Sequence, residues 1–154
     1  MKDFIYKMVK IFTILILLII CQTTSAQIAV VVNPENNLEE ITLKDLKRFY
    51  LGEITIYKNG TDIYLIELDS LKEEFYKTTC NLSSKKIRKY WMKMIFSGEN
   101  LSPPDGYENI QSALEVVIKK NGAICFVPFN EVDSTVKILK IDGYLPEDKN
   151  YPLK

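Results

Sequence analysis

The sequence IQSALEVVIKKNGAICFV, at residues 110–127, joins an amphipathic helix to a buried strand across a short turn. Its helical part places apolar side chains at positions i, i+3, i+4, i+7 and i+8, which is the spacing of one helix face. Asn121-Gly122 supplies the turn, and Ala123 to Val127 is a continuous apolar run of strand length. A helix followed at once by a strand buried on both faces predicts an α/β domain.

The segments before this unit extend the same pattern. Ile28 to Val32 (IAVVV) is β-branched and continuously apolar, so it predicts another strand buried on both faces. Thr42 to Asp45 begins a helix with a pattern like a capping box, and Gly52 ends that helix. Two short strands, Ile54 to Tyr57 and Ile63 to Leu68, are expected on either side of an Asn-Gly turn at residues 59–60.

Serines mark the start of two further helices. Ser70 and Glu73 form the S-x-x-E pattern of a capping box, and Ser83 or Ser84 caps a helix that stops at Gly98. The last strand is predicted at Val136 to Ile141. The chain is therefore expected to form a mixed sheet of about five strands flanked by about four helices, around one core.

The first 26 residues have the three parts of a secretory signal peptide. Met1 to Lys10 is basic, Ile11 to Ile20 is apolar, and the segment ends in small residues at Ala26, where we expect cleavage. Ten apolar residues fall short of the roughly 20 that span a bilayer, which makes an uncleaved anchor the less favoured alternative. A lipoprotein signal at Cys21 is also less favoured, because bulky Ile20 stands where that processing requires a small residue.

Composition excludes several kinds of function. The chain has 154 residues, 20 Lys and Arg, 20 Asp and Glu, and no His, so histidine-based catalysis and histidine metal ligation are absent. Removal of 26 residues takes away three lysines and one aspartate, which leaves 128 residues with a net charge of −2. This charge argues against a nucleic-acid partner. The sequence shows no nucleophile–base pair, metal-ligand spacing or glycine-rich phosphate loop, so we expect no enzyme activity and no cofactor.

The two cysteines of the predicted mature chain leave two interpretations open. Cys80 and Cys125 could form a disulfide in an exported protein. Cys125 lies inside an apolar strand, however, where a free cysteine serves as a small buried hydrophobic residue.

Four segments, in this order, resemble the substrate-binding proteins of phosphate ABC transporters, of the periplasmic-binding-protein type II superfamily. They are IAVVVNP at residues 28–34, ITLKDLKRFYLGEITIYKNG at 41–60, Tyr90-Trp91 through Phe96-Ser97-Gly98 to Pro103-Pro104, and NGAICFV at 121–127. The resemblance implies two α/β lobes joined by hinge strands, with a ligand in the cleft between them. Residues 27–144 resemble the second lobe alone, with Ile28 to Val32 and Ile124 to Val127 as hinge strands. Residues 145–154 are expected to be a loosely held tail.

The resemblance also implies a ligand site. In that family, a Ser-Gly-Thr type loop at a helix N-terminus holds an oxyanion, with an Arg and an Asp close by. The candidate ligand-binding residues of this chain are accordingly Ser70, Leu71, Lys72 and Asn33. The Gly-Thr pair and the Arg are absent, and Glu67 lies in the neighbourhood of the expected Arg. The capping box and the local carboxylates therefore predict a degenerate oxyanion site.

Together these observations predict an exported, periplasmic, non-catalytic domain of the solute-binding-protein type. It would bind phosphate or another small oxyanion weakly, with an ABC permease or an envelope protein supplying the missing lobe. The alternative is an interaction module of the cell envelope that has lost ligand binding. The sequence leaves the identity of the ligand, the partner and the oligomeric state open.

Overall fold

The computed structural model describes residues 27–154, so the predicted signal peptide at residues 1–26 lies outside the described part of the chain. The helices are α1 (Leu43–Tyr50), α2 (Lys72–Cys80), α3 (Ser84–Phe96) and α4 (Ile110–Lys119). The strands are β1 (Ile28–Val32), β2 (Glu40–Ile41), β3 (Tyr64–Leu68), β4 (Asp105–Tyr107), β5 (Ala123–Pro128), β6 (Lys137–Ile138) and β7 (Lys140–Ile141). Short 3₁₀ turns occupy Asp69–Leu71 and Phe129–Glu131.

Five strands form one mixed sheet in the order β4-β3-β5-β1-β6. Strand β1 is antiparallel to both β5 and β6, with Val30 opposite Phe126, whereas β3 is parallel to both β4 and β5. Strands β2 and β7 form a separate parallel pair. Within residues 27–154 this arrangement confirms the predicted α/β class, with a mixed sheet of about five strands and about four helices.

The two faces of the sheet bury separate cores because side chains alternate along each strand. Val30 and Phe126 point into a core that includes residues of α1, α2 and α3. Val31 and Cys125 point into the other core, which α4 covers with Ala113, Leu114 and Val117. All five residues of β1 are buried, as the apolar run IAVVV predicted.

An aromatic cluster holds the helices on the first face. The Phe75 and Phe126 rings stack with their centroids 3.9 Å apart, and Tyr50 meets Phe75 edge to face at 4.8 Å. The Tyr50 hydroxyl donates to the carbonyl oxygens of Ile66 and Ile124, at 2.9 and 3.3 Å. These two bonds connect α1 to neighbouring strands, so a buried phenol is satisfied and the helix is held in place.

The predicted helix starts at Thr42 and Ser83 are confirmed. The Thr42 hydroxyl accepts from the Asp45 backbone N–H at 3.0 Å, and the Ser83 hydroxyl accepts from the Lys86 N–H at 3.4 Å. The predicted two-strand hairpin is shorter than expected, because its first arm makes only a single bridge between Ile56 and Asp62. Its second arm, β3, is paired along its length with strands of the main sheet instead.

The predicted loose tail is wrong for its last residues. Tyr151 and Leu153 are buried, and the Leu153 carbonyl accepts from the backbone N–H of Ile28 at 3.1 Å. Two apolar side chains in a polar, proline-containing segment are enough to hold the chain end against the core.

The two cysteines within residues 27–154 are free and buried. Cys80 belongs to the core on one face of the sheet and Cys125 to the core on the other. The structure therefore favours the interpretation of both as small buried residues over a disulfide.

Gly122, immediately before β5, lies against another part of the backbone. A Cβ atom built on Gly122 would lie 1.9 Å from the carbonyl oxygen of Asp62. Only glycine fits at this contact, so the residue is a requirement of the fold as well as part of a turn.

Candidate functional site

The site that the resemblance indicates lies where β3 ends and α2 begins. Strand β3 finishes at Leu68, the 3₁₀ turn Asp69–Leu71 follows, and α2 starts at Lys72. Strand β4 runs parallel to β3 with Gly106 opposite Glu67. The carboxyl ends of the two strands therefore share one edge of the sheet, the edge at which α/β proteins place their ligands.

Lys72 is held between two carboxylates at this edge. Its Nζ lies 2.6 Å from Glu67 Oε1 and 2.8 Å from Asp69 Oδ1. The other oxygen of Glu67, Oε2, accepts a hydrogen bond of 2.7 Å from the Tyr76 hydroxyl. Glu67 is 8% exposed, so a nearly buried carboxylate has both oxygens satisfied by one ammonium and one phenol.

Burial and the charges of this cluster shift the pKa values of Lys72 and Tyr76. Partial burial lowers the pKa of Lys72, but the hydrogen bonds to Asp69 and Glu67 outweigh it, and the net pKa is raised. Burial, followed by the charge of Glu67, raises the pKa of Tyr76. Lys72 is therefore charged and Tyr76 is a neutral donor at physiological pH.

Gly106 provides the space for this cluster. A Cβ atom at position 106 would lie 3.3 Å from Asp69 Oδ1, and 3.7 Å from both Glu67 Oε1 and Lys72 Nζ. The bare backbone of β4 thus forms one wall of the cluster, and a side chain there would crowd the Asp69 carboxylate.

Ser70 and Leu71 lie in the 3₁₀ turn and do not begin the α-helix. Leu71 is buried, Ser70 is exposed, and the Ser70 hydroxyl makes no hydrogen bond with a described residue. The predicted capping box is wrong, because the 3₁₀ turn delays the start of α2 to Lys72. Glu73 Oε2 instead accepts from the backbone N–H and the hydroxyl of Ser84, at 2.9 and 2.5 Å, which joins α2 to the start of α3.

Asn33 lies at the opposite edge of the sheet from these residues. Strand β1 ends opposite Ile124, near the beginning of β5, whereas Ser70 follows the carboxyl end of β3. The Asn33 amide donates to the carbonyls of Val117 and Ile118, at 2.9 and 2.8 Å. The structure thus brings Ser70, Leu71 and Lys72 together and places Asn33 at the end of α4.

Sequence reasoning missed two members of the cluster. Tyr76 stands four residues after Lys72, so both lie on one face of α2, and this spacing was a usable signal. Gly106 lies on a different strand, and nothing local to its sequence connects it with residue 67.

The described residues limit the chemistry of this edge. No group of three or more potential metal-ligating side chains occurs within residues 27–154. In the same part of the chain, no helix is both long and apolar enough to cross a bilayer. The cluster carries two carboxylates and one ammonium, so a bound anion would meet net negative charge at the start of α2.

No model of a known protein family matches the chain. Its fold is similar to that of solved substrate-binding proteins. A putative phosphate ABC transporter substrate-binding protein from Clostridium perfringens, solved with bound phosphate, is 20% identical with a TM-score of 0.61, over 78% of this chain and 46% of that one. An ABC-type phosphate transport receptor from Vibrio cholerae is 18% identical with a TM-score of 0.66, over 82% of this chain and 52% of that one.

PstS from Borrelia burgdorferi gives a similar result, with 14% identity, a TM-score of 0.58, and coverage of 82% of this chain and 53% of that one. The chain spans about half the length of the solved proteins that it matches. At these identities the comparisons show the fold, which is that of one lobe of a periplasmic-binding-protein-like structure.

Proposed function

We propose that this protein is an exported, non-catalytic binding domain of the solute-binding-protein type. Its oxyanion position is closed, in the sense that Lys72 is already paired with two carboxylates and is unavailable to an anion. The observation that carries the proposal is the place of the Lys72 ammonium, 2.6 Å from Glu67 Oε1 and 2.8 Å from Asp69 Oδ1. The fold shared with phosphate-binding proteins supports the binding role. Such a domain would act with an ABC permease or with an envelope protein that faces the same edge of the sheet.

Electrostatics explain why a bare oxyanion binds weakly at this position. In water-excluded sites, phosphate is held by uncompensated cations and backbone N–H groups. Here the one lysine of the cluster is neutralised by two carboxylates, and Glu67 lies near the position where the resemblance expects an arginine. A dianion at 4–6 Å from the excess carboxylate would lose roughly 5–8 kcal/mol at an effective dielectric constant near 20.

Calorimetry on the purified protein tests this proposal. With phosphate, sulfate and molybdate, we expect no saturable heat below about 1 mM ligand. The double variant Glu67→Gln, Asp69→Asn keeps the shapes of both side chains and releases the Lys72 ammonium, so it should gain phosphate binding. The control variant replaces Glu35 and Glu131 by Gln; both are exposed acids outside the site, and neither forms an ion pair with a described residue. It changes the net charge by the same amount and should not gain phosphate binding.

Two outcomes would contradict the proposal. Micromolar phosphate binding by the unaltered protein would show that the lysine does not close the position. Equal phosphate binding by the site variant and the Glu35, Glu131 variant would show that net charge, rather than the released ammonium, is responsible.

The second candidate function is an interaction module of the cell envelope, and Phe96 favours it. This side chain ends α3 and is 83% exposed, the largest exposed fraction among the large apolar residues of the described chain. Light scattering after size exclusion, with a pull-down from envelope extract, should then show a partner that Phe96→Ser loses. A strict monomer that captures nothing and binds an anion tightly would refute this candidate.

A further inference from the structure

A groove of about 510 Å³ runs along α3, on the side of that helix that faces the Glu67–Lys72 pair. The side chains that matter for its chemistry are Lys85, Arg88, Trp91, Met92 and Ile95 of α3, with Pro104 on the opposite wall. This volume lies within the range of roughly 300–1,000 Å³ that small-molecule sites occupy. We call this feature the α3 groove.

One end of the α3 groove is positively charged. Lys85 and Arg88 lie one helical turn apart, both are exposed, and neither forms an ion pair with a described residue. The carboxylate at the floor, Glu67, is already bound by Lys72 and Tyr76. The groove therefore offers an anion two cations without counter-ions, one of them a guanidinium that can bind a carboxylate or phosphate through two hydrogen bonds.

The other end of the α3 groove is apolar. Met92 and Ile95 are 51% and 49% exposed, although both are large hydrophobic side chains. Trp91 lies between the charged and apolar ends of the helix and is 4% exposed. Its indole Nε1 is buried and has no hydrogen-bond partner among the described residues.

We propose that the α3 groove binds a small amphipathic anion, a carboxylate or a phosphate monoester that carries an apolar chain. The head group binds Lys85 and Arg88, and the chain lies along Trp91, Met92 and Ile95. This inference rests on the proposed binding function and names its ligand class. Such a ligand does not have to bind between Glu67 and Asp69, as a bare oxyanion would, because Lys85 and Arg88 of α3 neutralise its charge.

Trp91 is the single tryptophan of the chain, so its fluorescence reports binding in the α3 groove. We would titrate the purified full-length protein with decanoate and with decyl phosphate, below their micelle concentrations, and follow tryptophan emission. We expect a saturable change with at least one of them, and the two probes identify the preferred head group. Decanol lacks the charge and should bind at least about tenfold more weakly, whereas inorganic phosphate should leave the emission unchanged.

Two variants separate a built site from adsorption of an anion to a basic helix. Arg88→Gln should raise the dissociation constant about tenfold or more. Lys89→Gln removes one charge from the adjacent position of α3, outside the α3 groove, and should change it less than about twofold. Both side chains are exposed, and thermal melts establish that both variants are folded.

The proposal is overturned if neither amphiphile changes the emission saturably, or if Arg88→Gln and Lys89→Gln weaken binding equally. Binding of decanol as tight as that of decanoate would also overturn it, because the head group would then contribute nothing. These results are independent of the calorimetry with phosphate, so failure of the ligand class is distinguishable from failure of the closed oxyanion position.

Discussion

Replacing Lys72 by Met is the most direct perturbation of the cluster at the end of β3. The change removes the ammonium from both carboxylates and leaves the nearly buried Glu67 with only the Tyr76 hydroxyl as a partner. An unpaired carboxylate in this position is destabilising because it has lost both water and its counter-charge.

The magnitude follows from the geometry. At 2.6 Å between Lys72 Nζ and Glu67 Oε1, two unit charges attract by about 6 kcal/mol at an effective dielectric constant of about 20. Desolvation offsets much of this, and removal of one partner of a buried pair costs about 3–5 kcal/mol. The Lys72 side chain is 32% exposed, so we expect a loss of about 2 kcal/mol after screening by water.

Urea denaturation monitored by tryptophan fluorescence measures this loss in the free energy of unfolding. The loss corresponds to a fall of about 8 °C in Tm. The matched control is Lys77→Met, a lysine of the same helix that is exposed and has no ion pair with a described residue. The double variant Glu67→Gln, Lys72→Met should be more stable than the sum of the single losses predicts, by about 1 kcal/mol. Equal stabilities of Lys72→Met and Lys77→Met would refute the reasoning.

The pH dependence of the same pair has a defined sign. The pKa of Lys72 is raised in the folded protein, because its hydrogen bonds to the two carboxylates outweigh its partial burial. Its stabilisation is thus complete below the ordinary lysine pKa, about 10.4, and is lost as the pH rises through the raised value. The stability difference between the unaltered protein and Lys72→Met should therefore be constant near neutrality and shrink in strong alkali.

Three further predictions concern the fold. Gly122→Ala should lower the free energy of unfolding, measured by urea denaturation, by about 3 kcal/mol, because the new Cβ would meet the Asp62 carbonyl oxygen. Gly60→Ala, at φ +85° with open space around it, should lower it by only about 1 kcal/mol. Equal losses of stability in the two variants would contradict this prediction. Burial raises the pKa of the Cys80 thiol to about 11 and also raises the pKa of the Cys125 thiol. Mass spectrometry should therefore find neither cysteine alkylated by iodoacetamide at pH 8 until guanidinium is added. Labelling of Cys80 in the folded protein would contradict this prediction. Deletion of residues 151–154 removes two buried side chains and should lower stability by about 4 kcal/mol; an unchanged urea midpoint would show that the chain end contributes nothing.

Sequence periodicity predicted the elements whose pattern is repeated over many residues. Strand β1 and helix α4 were predicted within a residue or two, because an unbroken apolar run and an i, i+3, i+4 stripe each have one simple structural explanation. The S-x-x-E pattern at Ser70 was misleading because the 3₁₀ turn at Asp69–Leu71 shifts the helix start to Lys72.

The candidate site was predictable only in its local part. The stretch around Ser70 and Lys72 could be located from the resemblance, but the place of the Lys72 ammonium depends on two carboxylates and on a glycine of another strand. Asn33 was assigned through the resemblance, and the antiparallel pairing of β1 with β5 placed it at the opposite edge. Strand order arises from tertiary pairing, which no single segment encodes.

Strand β1 lies between β5 and β6 in the sheet, so it cannot pair until late in synthesis. Its five residues, IAVVV, are among the first of the described chain to be made, but its partners β5 and β6 follow only at residues 123–128 and 137–138. The backbone bond from Ile28 to Leu153 closes last. A β-branched, uncharged segment thus lacks its partner strands until the chain has been made as far as residues 123–138, which makes it an aggregation-prone segment of the nascent chain.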